Sequence, residues 1–597
     1  MAAKRRATKY DAWNPGLESE LPREYLPLST VFRSENVSTS IPKAFELAEY
    51  CGMSAFDLVA FRPERLIMHE VLIHVTAGIS VPDAHDYEEL GRNIRVIAAT
   101  ILNRYVAPHR EEIVAVFERV RTQASTRIAR ELESAFAEPK SVQPAPPHGW
   151  RRLFALASTP KPIPTPDETP IERERRILSE WRTRADAAAD PLDAACLAAL
   201  HRIASGVMGR RGRLVGDNAL ITELAVTLVC NDYGSKVIGE AIVPYCQDAI
   251  AREGYRALPR QQHPVVMNVK GASASGKSTM RPLQKKLAGK LKLPWDEFAL
   301  ISPDFWRKFL LDYGSLGVAC KYAGPLSGHE LEIVDRKLDS RMAARAARGD
   351  MSHLVIDRFR FDSFTPELEG QGSHKLLTRF GDLVYMFFMI TPPEATVERA
   401  WLRGLKVGRY KAVEDLLAHN VEAFTGMPEL FFTWALAAGK RVHYEFLDNS
   451  VKENEAPRTV AFGWNGRMTV LDIKGMIDIE RFRKINIRAR TPAEIYAGED
   501  LAPEANVDFL KRCARWIPTI KFADYDTGEV YARLEHGQWA WIDQKRFRKA
   551  LKDPDAAAGL MAVAPRIDGA GPGAPEKRAD LARQKIHTLG AWAEAAR

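Results

Sequence analysis

The chain has 597 residues, 46% of them hydrophobic and 27% charged, with a formal net charge of +8. That length exceeds what one hydrophobic core supports, so roughly two to four domains are expected. No stretch approaches ~18 uninterrupted apolar residues, so no membrane-spanning helix is expected. The six scattered cysteines form no C-x-x-C pair, which argues against a disulfide framework or thiolate metal site and points to reduced thiols in a cytoplasmic setting.

In chain order, residues 1–40 are rich in Pro, Ser and charge, and their basic start lacks the apolar core of a signal peptide. A flexible N-terminus is expected there. Ile94, Ile97 and Ile101, and then Ile113, Phe117 and Val120, recur at helical spacing and predict a helical domain over 41–136. Residues 137–170 carry a dense proline run from Pro139 to Pro170, which reads as a linker. A second helical block is predicted over 171–257, with an Ala-rich segment at 194–199 and an apolar face through Leu220, Leu224 and Leu228.

The β-branched run Val265, Val266, Met267 and Val269 predicts a buried strand. It feeds into Gly271-Ala272-Ser273-Ala274-Ser275-Gly276-Lys277-Ser278, which fits G-x-x-x-x-G-K-[ST], and a helix is predicted from Thr279 onward. Strand, glycine loop and helix together are the context of a phosphate-binding loop. The glycines let successive N–H groups converge on phosphate oxygens at a helix N-terminus. Lys277 would neutralise β- and γ-phosphate charge, and the Ser278 hydroxyl would ligate Mg²⁺. The expected ligands are therefore ATP, or another nucleoside triphosphate, and Mg²⁺.

Further apolar runs at Phe298–Ile301, His353–Ile356, Leu383–Ile390 and Val442–Leu447 alternate with helical stretches. They predict an α/β, doubly wound parallel sheet over 258–455, with its ligand at the carboxyl ends of the strands. Arg458 to Phe462 and Arg467 to Ile473 predict a hairpin turning at Asn465-Gly466. A small C-terminal α+β subdomain is expected over 456–555, with Trp516, Trp539 and Trp541 in its core, and a mobile tail over 556–597.

Three neighbours bear on the chemistry. Asp304 stands where a base could accept the proton of an attacking hydroxyl, or it is a helix N-cap. Arg399 and Arg403 lie four apart on one helical face, and Arg409 follows. They are either lid cations balancing charge on a transferred phosphoryl group or a solvated face. In Asp357-Arg358-Phe-Arg360, Asp357 could hold the Mg²⁺ water shell and the two arginines could meet substrate phosphates. Strand-end salt bridges are the alternative.

With these residues in order, the chain resembles the zeta-toxin family, within the polynucleotide kinase-like P-loop kinases. The resemblance rests on the 271–278 loop, Asp304 followed three residues later by Arg307, and the Pro-Pro-Glu at 392–394. The Arg399/Arg403 helix, Gly408-Arg409 and the closing Asp448-Asn449-Ser450 complete it, over about a third of the chain. It implies Asp304 as general base, with Lys277, Arg399, Arg403 and Arg409 stabilising the transferred phosphate. The implied acceptor is a sugar 3′-hydroxyl in a small nucleotide-containing metabolite such as a UDP-amino sugar or NAD. The family's Asp-x-Asp stands here as Ser302-Pro303-Asp304, and the long flanking regions have no counterpart in the minimal toxin. The helical region would then be a regulator, a partner-binding surface or a fused antitoxin-like cap.

Two alternatives stay open. A polynucleotide end kinase fits the net charge, although no basic run with interleaved aromatics marks a nucleic-acid surface. An ATP-gated switch would use the loop without phosphorylating a substrate.

Overall fold

The computed structural model describes residues 10–84, 86–136, 169–214, 216–358, 377–452, 455–564, 581 and 583–593. Most of the expected linker, residues 137–168, and Arg360 therefore lie outside the described residues. The chain divides into two compact units. One comprises 1–30, 72–102 and 247–597, and the other 31–71 and 103–246. The expected boundaries at 41, 136 and 257 thus do not follow the packing: residues 72–102 belong with the sheet.

The helical unit is built on Ile41–Cys51, Arg110–Phe136, Pro170–Ala187, Pro191–Arg211 and Asn218–Val229. The long helix buries Ile113, Phe117, Val120, Ala124, Ile128 and Leu132, the stripe that three-four spacing dictates. Thr169 opens Pro170–Ala187 with a reciprocal capping box to Glu172. Gly206 permits a close helix crossing, because a Cβ there would stand 2.4 Å from the Cys51 carbonyl oxygen.

The sheet unit carries ten strands: β1 Val265–Lys270, β2 Phe298–Ile301, β3 His353–Ile356, β4 Leu383–Ile390, β5 Arg441–Asp448, β6 Arg458–Trp464, β7 Arg467–Val470, β8 Thr519–Ala523, β9 Val530–Glu535 and β10 Gln538–Ile542. Their order is β10-β9-β8-β7-β6-β5-β4-β1-β3-β2. The half from β2 to β5 is all parallel. Around it run α1 (Tyr87–Thr100), α2 (Arg281–Lys290), α3 (Ala323–Ala347), α4 (Pro393–Val407) and α5 (Val413–Ala435). Both faces of β4 are buried, as continuous apolar runs in parallel sheets are. Val384, Met386 and Phe388 share a core with Phe424, Met427 and Phe431 of α5. The chain leaves β1 for the β2 edge, returns through β3, then crosses to β4 on the other side. That reversal beside β1 opens a crevice at the strands' carboxyl ends.

The separate C-terminal subdomain expected from the sequence is not separate. The β6–β7 hairpin turns at Asn465-Gly466 as predicted, but β6 pairs with β5, and β7 to β10 extend the same sheet. Phe509, Ile520, Phe522 and Trp539 share the core of β4 and β5. The open edge of β5 explains this, since its unpaired backbone groups need a neighbour. Trp516, expected in the core, is 50% exposed. Parts of the expected tail are ordered too. Residues 554–563 form a helix capped by Asp553, and Leu589 and Trp592 are buried.

Among the described residues no helix is long and apolar enough to cross a membrane.

Candidate active site

The glycine loop lies between β1 and α2 and is pinned from the neighbouring strand ends. The Ser275 carbonyl accepts from Thr391 Oγ1 at 3.0 Å, just past β4, and from Asn449 Nδ2 at 2.8 Å, just past β5. Gly276 has φ +96° and lies so close to Asn449 that a Cβ would stand 2.1 Å from its Nδ2. Gly271 abuts Met389 of β4, 2.8 Å from a Cβ built there. Ala274 takes φ +60°, a left-handed conformation that costs a non-glycine residue about 1–2 kcal/mol. Lys277 folds back over the loop, its Nζ donating to the carbonyls of Gly271 at 3.0 Å and Ala272 at 2.8 Å. Burial lowers this ammonium to about 8, against the pull of Asp357 and Asp304. Ala272 and Ser275 are buried, Ser278 is half-buried, and the exposed Thr279 donates its hydroxyl to the Gly276 carbonyl at 2.7 Å.

Asp304 sits in the turn Pro303–Trp306 after β2 and is not the cap of a long helix. Arg307 Nε donates to its Oδ1 at 2.9 Å, and Arg409 Nη2 to its Oδ2 at 2.5 Å. Burial would raise the carboxyl, but the two guanidiniums outweigh it and hold it well below the usual range. Arg307 is itself braced by the Gly324 carbonyl and the Ser327 hydroxyl of α3, which hold it against Asp304.

The arginines of α4 divide. Arg399 turns to the strand-end loop, donating to the carbonyls of Asn449 at 2.6 Å and Val451 at 3.3 Å. It supports the loop that pins Ser275 and does not join Asp304. Arg403 does join it: burial and the neighbouring Arg409 charge lower it to about 9, while Asp304 favours its charged form. Its Nε is buried with no partner among the described residues.

At the end of β3, Asp357 is 9% exposed. Burial raises its carboxyl, offset by Lys277 and Arg281. Arg358 corrects the sequence expectation. It does not face a substrate, because Asp335 at 2.7 Å and Asp339 at 2.9 Å on α3 already hold it, all three nearly fully buried. The alternation along a strand end sends consecutive residues to opposite sides, so Asp357 and Arg358 part.

Among the described residues no group of three or more His, Cys, Asp or Glu could hold a metal. Mg²⁺ does not require one, since it keeps water and phosphate oxygens and takes one or two protein oxygens. The Ser278 hydroxyl and Asp357 carboxylate are hard oxygen donors of that kind.

Four residues of the site were missed in the sequence. Tyr87 of α1 meets Ser302 Oγ through its hydroxyl at 2.9 Å and packs on Phe305 with ring centroids 4.3 Å apart. Arg281 opens α2 and is 8% exposed. Lys411 Nζ lies 2.8 Å from His419 Nδ1, which also meets Ser273 Oγ at 2.8 Å. Burial lowers Lys411 to about 7, with Asp415 opposing and Arg403, Arg409 and Arg307 adding to the fall. Burial and Lys411 keep His419 neutral. No local pattern marks these four: Tyr87 meets Ser302, and His419 and Lys411 meet Ser273, far along the chain, while Arg281 is set apart only by its burial. Together Lys277, Arg281, Arg307, Arg403, Arg409 and Lys411 gather round Asp304 and Asp357, an excess of positive charge suited to a polyanion.

No protein-family model, curated protein or solved structure matches the chain, so its function is read from its own side chains.

Proposed function

We propose that the protein is an ATP- and Mg²⁺-dependent kinase that phosphorylates a hydroxyl of a small nucleotide-containing metabolite, in the manner of the zeta-toxin-like P-loop kinases. The observation that carries this is Asp304, an ionised carboxylate held by two guanidiniums beside the lysine of a glycine loop. The loop N–H groups and Lys277 bind the β- and γ-phosphates. Ser278 and Asp357 hold Mg²⁺, which supplies charge neutralisation on the phosphate oxygens when bound. Asp304 accepts the proton of the acceptor hydroxyl as that oxygen bonds to the γ-phosphorus and the bond to ADP breaks. Arg403 and Arg409 meet the charge on the transferred group. Candidate acceptors are the sugar 3′-hydroxyls of a UDP-amino sugar or NAD.

The test is to incubate the full chain with Mg²⁺, γ-labelled ATP and a panel of UDP-sugars, NAD, nucleosides and oligonucleotides, beside an Asp304→Ala variant. Label passing to one small metabolite, and lost in the variant, is the expected result. Label on oligonucleotides alone would favour a polynucleotide kinase. Free phosphate released equally by both proteins would leave an ATP-gated switch.

A further inference from the structure

Arg281 lies one turn past Lys277 on α2, yet it takes no part in the glycine loop. Its Nε, Nη1 and Nη2 are all buried, and none has a hydrogen-bond partner among the described residues. Three residues on, and so on the same face of α2, Gln284 is 2% exposed with its Nε2 likewise unpartnered. An unsatisfied buried amide costs free energy and an unpaired buried charge costs more. Seven N–H bonds on four nitrogens are thus left open among the described residues and call for a ligand that accepts them.

The walls of the corner show which side of the reaction it serves. The guanidinium carbon lies 5.7 Å from the Phe305 ring centroid and 6.0 Å from that of Tyr87. Phe305 is the residue after Asp304, and Tyr87 is hydrogen-bonded to Ser302, two residues before it. The corner thus flanks the base, and the Asp357 carboxylate is the acid that acts on Arg281 most strongly. Helix α1 is built tightly into the corner. Gly91 lies against Phe305, which a Cβ would approach to 2.8 Å. Arg95 donates to the Phe305 carbonyl at 3.3 Å, and Glu88 pairs with Lys308 at 2.7 Å.

We infer that Arg281 and Gln284, walled by Tyr87 and Phe305, form a phosphate subsite for the acceptor, which is therefore an alcohol already bearing a phosphate or diphosphate. The inference rests on the phosphoryl-transfer reading above and gives that reading's acceptor a second point of attachment. The planar fork of a guanidinium matches two phosphate oxygens, and the Tyr87 and Phe305 rings flank it. Neutral sugars and nucleosides would lack the group that satisfies it. Helix α1, from the region expected to be a regulator, a partner-binding surface or a cap, is then a wall of the acceptor site.

The test uses the full chain with its nucleotide site filled by Mg²⁺ and a non-hydrolysable ATP analogue, titrated calorimetrically with inorganic pyrophosphate. Arg281→Gln should weaken pyrophosphate binding about 10- to 100-fold, the worth of a charge-assisted hydrogen bond. Gln284→Leu, which preserves packing, should weaken it severalfold and leave affinity for the analogue unchanged. Unchanged pyrophosphate binding in both variants, or an equal loss of analogue binding, overturns the subsite. If the analogue fails to bind the wild-type chain, the kinase reading falls. Pyrophosphate titration of the chain alone, wild type against the two variants, then still decides whether the anion subsite exists.

Discussion

Arg409 reaches across 105 residues of sequence to donate to Asp304 Oδ2 at 2.5 Å, while Arg307 holds the other oxygen at 2.9 Å. In the proposed reaction the base is thus kept ionised by a cation that also meets the charge on the phosphoryl group. Asp304→Asn should leave nucleotide affinity within about twofold and lower kcat by roughly 10²–10⁴, the usual contribution of general-base catalysis. Arg409→Ala removes a charge that depresses the carboxyl, so its pKa rises. The acid limb of the kcat/KM profile should therefore move to higher pH in that variant, and an unmoved limb would separate Arg409 from the base.

Lys411 carries its own pH signature. Burial and three neighbouring arginines lower it to about 7, and it lies near Ser273 of the glycine loop. A bound polyphosphate would stabilise the ammonium and raise this pKa, so binding takes up a proton near neutrality. ATP affinity should fall as pH rises from about 7 to 8.5, by up to about tenfold per unit. Calorimetry in buffers of different ionisation enthalpy should show the uptake, and Lys411→Met should flatten the dependence.

Gly276 combines a left-handed φ of +96° with contact to Asn449. Gly276→Ala adds about 1–2 kcal/mol of backbone strain and drives a methyl into Asn449 Nδ2, displacing the side chain that holds the Ser275 carbonyl. Nucleotide affinity should drop by tenfold or more while the melting temperature changes little. Equal loss of both would mean that the loop is structural only.

Arg358 should behave in the opposite way. Replacing it with Ala removes the buried guanidinium that Asp335 and Asp339 share, a loss of about 3–5 kcal/mol for a broken buried ion pair. Chemical denaturation should show that loss, with the activity of the remaining folded protein near normal. A raised KM for the acceptor in a stable protein would return Arg358 to the substrate.

The parallel half of the sheet was legible because runs such as Leu383–Ile390 are apolar on both faces, and only a central strand buries both. The strand, glycine loop and helix order around 265–290, and an Asp just past the β2 strand, were legible from the local pattern. Arg358 was not, because its partners on α3 lie about twenty residues away and a salt bridge and a phosphate ligand look alike in sequence. Nor was Tyr87, more than 200 residues before Ser302. Its helix shows the same apolar periodicity as its neighbours, so nothing local assigns it to the sheet. A chain begun at residue 258 loses Tyr87, and with it Thr76, which accepts from the Trp306 indole at 3.1 Å. Truncation there should abolish activity, where a removable cap would have raised it.

Glu445 lies on β5 and is fully buried. It accepts from Thr459 Oγ1 at 2.7 Å and from the backbone N–H groups of Leu589 at 2.7 Å and Gly590 at 3.0 Å. Two of its three donors are thus translated more than 140 residues after it. At about 5–20 residues per second of synthesis, the ribosome leaves this carboxylate without them for some seven to thirty seconds. During that interval the face of β5 bearing Glu445 is an unfinished surface, open to chaperones and to premature aggregation. The glycine loop and Asp304, already made, must wait for a strap translated more than 140 residues after Glu445.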